Sequence, residues 1–81
     1  MKLIDYHVIL KDIEREFRMV RQWIEMESYM NVAESAIRAE RLIELLEVYN
    51  CGSVGGFDKW QTKRGTLQER YQWLVDKGRE E

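Results

Sequence analysis

Seven apolar residues near the N-terminus, Tyr6, Ile9, Leu10, Ile13, Phe17, Val20 and Ile24, recur three and four positions apart. That is the spacing of one buried helix face. The same stretch carries a second apolar set, Met19, Trp23, Met26 and Met30. At about 100° per residue it lies roughly a third of a turn from the first. A helix with two apolar stripes must hide surface in two directions, so it either sits between two helices of its own chain or meets a partner. Both coverings are open on the sequence: the chain's own C-terminal third, or another molecule, most simply a second copy.

The remaining elements follow from local signals. The chain has no proline, which removes the strongest helix breaker. The first helix is expected over residues 4–28. Asn31 followed by Glu34 has the form of a capping box, so a break is expected at Tyr29-Met30 with Asn31 as the N-cap of a second helix over residues 32–49. A turn this short makes the pair an antiparallel hairpin; the competing reading is one continuous helix through residue 49. Val32, Ala36, Ala39, Ile43 and Leu46 form the stripe of helix two, with Leu42, Leu45 and Tyr49 widening it. Gly52 is placed for the left-handed position that ends a helix. Residues 53–65, with Gly55, Gly56, Phe57 and Trp60, are expected as loop, with at most one helical turn at residues 58–61. Thr66 through Glu69 is a full capping box. It opens a short third helix over residues 67–77 that Gly78 terminates, leaving Arg79 to the C-terminus as a frayed tail. The expected fold is therefore all-α, a helical hairpin plus a short third helix after a glycine-containing loop, in one domain over residues 1–81.

Eighty-one residues bury only about 60–65% of the surface the unfolded chain exposes, which makes a lone domain marginally stable. Apolar residues at 44% are ample for a core, and charged residues at 35% argue for a soluble exterior rather than disorder. The formal net charge of −2 creates no field that would gather nucleic acid. Its distribution is uneven, with seven Lys/Arg against ten Asp/Glu in residues 1–50 and six against three in residues 51–79. One cysteine, Cys51, makes no internal disulfide, no apolar run reaches the ~18 residues of a membrane span, and Asp5 interrupts the short apolar patch after Lys2. A cytoplasmic protein without a membrane segment is expected.

Few residues point to chemistry. A zinc site needs four ligands, and one Cys with one His do not supply them. His7 and Cys51 lack any nucleophile–base signature. Glu40, Glu44 and Glu47 read as a solvated face rather than a metal face. The glycines at 52, 55 and 56 have neither the preceding strand nor the following Lys-Ser/Thr of a phosphate loop. About fourteen residues separate helices two and three, too many for a helix-turn-helix. No catalytic, cofactor or metal residue is expected, and no small-molecule substrate.

Two surfaces remain. Met19, Trp23, Met26 and Met30, with Trp60 and Trp73 as anchors, suit a protein interface, because methionine adapts to irregular surfaces and tryptophan concentrates binding energy. Lys59, Lys63, Arg64, Arg70 and Lys77 around Trp73 suit stacking on a base with cations on phosphates. The same residues also suit a solvated cation–π cluster on the indole. The expected function is that of a small non-enzymatic helical protein acting by protein–protein contact as an adaptor, regulator or inhibitor, and self-association into a dimer would serve it. The alternative is a nucleic-acid-associated accessory protein using its basic, aromatic C-terminal third.

Overall fold

The computed structural model describes residues 5–79. They form α1 (Tyr6–Glu25), α2 (Tyr29–Cys51), α3 (Val54–Gln61) and α4 (Leu67–Arg79), with no strand among the described residues. α1 and α2 pack closely as a hairpin, and α4 lies in the groove between them. The start expected at residue 4 falls outside the described residues, and so does the tail expected from Arg79 onward, except Arg79 itself, which is not tail but the last residue of α4. Within them Asp5 caps α1, its side chain accepting the Val8 N–H at 3.3 Å.

The bend comes earlier than Asn31 suggested. Met26 caps the end of α1, and Glu27 takes the left-handed conformation at φ 58°. The Glu27 N–H donates to the Ile24 carbonyl and the Ser28 N–H to that of Trp23. These are the paired bonds of a Schellman ending, made with a glutamate where glycine is usual. Ser28 is the N-cap of α2, and Asn31 sits inside the helix with its amide donating to the Ser28 hydroxyl at 2.7 Å. The hairpin thus turns at residues 26–28, not at 29–30, and Met30 belongs to α2.

Two further expectations are corrected. Residues 54–61 are not loop but a helix, which Ser53 caps by accepting the Gly56 N–H at 3.0 Å. Gly78 does not terminate α4; it is buried within it, where a Cβ would stand 2.9 Å from the Tyr6 ring. That ring is fixed. Its hydroxyl donates to the Leu74 carbonyl at 2.7 Å and accepts from the Asn50 amide at 2.9 Å, so Tyr6 joins α1, α2 and α4 at one end of the molecule. Gly52 ends α2 in the left-handed conformation, and Thr66 accepts the Glu69 N–H at the start of α4, both as expected.

The core comprises Tyr6, Leu10, Ile13, Ile43, Leu46 and Leu74, with Phe17, Leu67 and Tyr71 at its edge. It fills only the end of the hairpin that α4 reaches. At 1.5 Å per residue α4 is about 20 Å long against about 30 Å for α1, so α4 stops near Phe17. Ile24, expected in the buried stripe of α1, is exposed for that reason.

Two substitutions with opposite signs test this account. Glu27→Gly relieves a left-handed glutamate and is expected to raise stability by up to about 1 kcal/mol. Gly78→Ala gains helix propensity but drives a methyl into the pinned Tyr6 ring, and is expected to cost about 1–3 kcal/mol. Urea midpoints of the two variants, measured beside the parent, check both signs.

Candidate functional site

Glu47 is the least expected residue in the fold. It was read as one of a solvated row, yet it is fully buried at 0% exposure. Five turns of α2 separate it from Tyr29, so it shares that helix face and points where α3 and α4 pack. Its Oε1 accepts from an Arg70 terminal nitrogen at 2.7 Å and from Arg64 at 3.4 Å; its Oε2 accepts from Trp60 Nε1 at 2.6 Å and from Arg70 Nε at 2.9 Å. Arg70 is itself buried, and its guanidinium also reaches Glu40 at 3.8 Å. A bidentate guanidinium–carboxylate pair out of water, with the remaining lone pairs filled, is a satisfied buried ion pair.

Burial pushes the Glu47 carboxyl up, but the hydrogen bonds from Arg70 and Trp60 and the charges of Arg70 and Arg64 outweigh it, so the group titrates below the usual glutamate range. The hydrogen bond to Glu47 raises the Arg70 guanidinium in turn, against the desolvation that would lower it. Burial, and then the negative charge of Glu47, push the Cys51 thiol up, which reduces its thiolate fraction.

The basic and aromatic residues of the C-terminal third are drawn into this cluster. Trp60 stacks on Trp73 with ring centroids 4.2 Å apart, and the Lys77 ammonium lies 5.6 Å from the Trp73 centroid. Arg70 turns away from Trp73 toward Glu47. Lys59 and Lys63 are exposed, Arg64 and Lys77 half-buried. The five cations expected to share one nucleic-acid face are therefore divided. Two are committed to a carboxylate and one rides on an indole whose stacking neighbour is already a tryptophan.

The Met/Trp set divides differently. Met19 and Trp23 are half-buried on α1, Met26 is exposed at the bend, and Met30 is 80% exposed on α2. α3 packs on α2 and not on α1, so Phe57 and Trp60 do not cover this set. Ile24 and Tyr29, which lay outside the expected interface residues, are exposed beside it, Tyr29 at 69%. Where α4 begins, Phe17, Val20, Arg21, Thr66, Leu67 and Gln68 line a cleft of about 450 Å³. A second polar cluster joins α1 to α2. Arg38 donates to Glu16 at 3.3 Å and to Ser35 at 3.2 Å, while Oε2 of Glu16 has no hydrogen-bond partner among the described residues.

Among the described residues no three of His, Cys, Asp or Glu converge on a point that could hold a metal ion. Nor is any helix there long and apolar enough to cross a membrane. No protein family, curated protein or solved structure matches this chain.

The linkage has a definite sign. A carboxyl whose folded pKa is depressed contributes stability that is complete above the ~4.3 of a solvated glutamate and is lost as pH falls through its lower folded value. The urea midpoint is expected to fall between about pH 6 and about pH 3, and to fall less in Glu47→Gln, in which this titration is absent. Equal losses in parent and variant would contradict the assignment.

Proposed function

We propose that this chain is a non-enzymatic helical binding protein whose contact surface is the uncovered end of its hairpin. The observation that carries the reading is the position of Ile24, Met26, Tyr29 and Met30. These four large apolar residues stand exposed at and beside the bend, beyond the reach of α4. Clustered apolar exposure of this kind marks contact surfaces on soluble domains.

The geometry suits an amphipathic helix of another protein. α4 already occupies the groove between α1 and α2, and Phe17, Val20 and Arg21 of α1 form a cleft with the first residues of α4. Tyr29 lies on the α2 face that packs α3 and α4 farther along. A partner helix would therefore extend the line of α4 and bury the same kind of surface by the same ridge-and-groove packing. Met19 and Trp23 would flank the contact, with Arg18, Arg21 and Glu25 forming a polar rim. An adaptor, regulator or inhibitor acts in this way, by occupying a helix that its partner uses elsewhere.

A photo-reactive amino acid placed at Tyr29 in the cell tests this. Adducts to a second protein are expected from position 29 and not from the exposed polar position Lys11 on the first half of α1. Equal adducts from both positions, or none from 29, would overturn the reading.

A further inference from the structure

α2 carries a second exposed apolar row that the core does not use and that shares only Met30 with the hairpin end. Met30, Ile37, Leu45 and Val48 are all exposed, and their spacing places them on the side of α2 away from α3 and α4. Between them on the same side stand Glu34 and Arg41, both exposed and neither with an ion-pair partner among the described residues. Arg41, Glu44, Leu45 and Val48 line a shallow concavity of about 390 Å³.

The order of these residues is self-complementary when the helix is reversed. Glu34 and Arg41 share a midpoint between residues 37 and 38 with Met30 and Leu45. Glu34 and Arg41 are each about 5 Å from it along the axis, on opposite sides, and Met30 and Leu45 are each about 11 Å from it. A second copy of α2, laid antiparallel about a twofold axis at that midpoint, puts Glu34 against Arg41 of the copy and Arg41 against its Glu34. It seats Met30 at the concavity beside the copy's Leu45, and brings the two Ile37 side chains together on the axis. Every contact off the axis occurs twice, as an isologous interface requires.

We propose that α2's outer face is the seam of a twofold homodimer, with two reciprocal Glu34–Arg41 ion pairs setting the register and Met30 filling the Leu45 concavity. The occupant is a second copy because the charge pattern pairs with its own reverse. One twofold axis serves both pairs, because the charged pair 34/41 and the apolar pair 30/45 share a single midpoint on the same side of the helix. The seam takes Met30 from the hairpin end but lies on a different side of α2 from Tyr29, so it leaves Ile24, Met26 and Tyr29 exposed and does not rest on the partner site.

Sedimentation equilibrium of the full chain decides the matter. The parent is expected to show twice the chain mass at high micromolar concentration. Arg41→Glu and Glu34→Arg each place like charges across the seam, and each is expected to weaken association roughly a hundredfold. Both positions are exposed, so each variant should keep the parent's far-ultraviolet circular dichroism. The double variant Glu34→Arg/Arg41→Glu restores both pairs with the charges exchanged and is expected to recover the dimer. A parent that stays monomeric overturns the proposal, as does a dimer indifferent to the single reversals or one that the double exchange fails to restore. Adducts from position 29 are expected to persist in Arg41→Glu. Loss of the seam and loss of the partner site are thus read separately.

Discussion

One carboxylate, sealed from water and met by a guanidinium at both of its oxygens, decides how the second half of this chain lies against the first. Glu47 reaches from α2 to Trp60 on α3, to Arg64 in the connection and to Arg70 on α4. A buried ion pair of this kind is a poor source of net stability, since desolvation of both charges offsets most of their attraction. What it supplies is an orientation. An unpartnered charge at that depth costs several kcal/mol, so arrangements that separate Glu47 from Arg70 are disfavoured far more than the native one is favoured. The apolar contacts of α4, with Leu74 alone fully buried, are too few to set its position in the groove unaided.

That position has a consequence for the surface. Held at Glu47 and at the Tyr6–Leu74–Gly78 contact, α4 lies over the half of the hairpin near the chain's described ends and stops near Phe17. The other half is left with Ile24, Met26, Tyr29 and Met30 in water, so they add little burial to a domain whose size already limits its stability. The proposed partner site and the proposed dimer seam both use surface that the placement of α4 and α3 leaves bare. They share Met30 but otherwise lie on different sides of α2, and therefore differ in what would occupy them.

The parts of the fold that were legible are those that a few neighbouring residues determine. The capping box at Thr66, the left-handed Gly52 and the three- and four-residue apolar spacing of α1 all carry their own physics. The bend was missed because Glu27 performs a turn that usually advertises itself with glycine, and no residue type marks it. α3 was missed because Gly55 and Gly56 have the lowest helix propensity short of proline; the Ser53 cap and the anchoring of Trp60 to Glu47 override it. Glu47 itself left a readable trace elsewhere. Arg70 falls three residues after Leu67 and four before Leu74, an arginine in a core row of α4, and a core arginine implies a buried acid. The division of the basic residues was not readable, since Lys59, Lys63 and Arg64 are separated from their fates by tertiary contacts alone.

The most direct measurement is a double-mutant cycle on the buried pair, with Glu47→Gln, Arg70→Met and the two combined, each unfolded in urea near neutral pH. If Glu47 and Arg70 fix α4 as described, each single change costs about 3–5 kcal/mol by leaving its partner unsatisfied, and the combined change costs far less than the sum. Costs that add to within about 0.5 kcal/mol would show that the two residues act independently, and the orientation of α4 would need another cause.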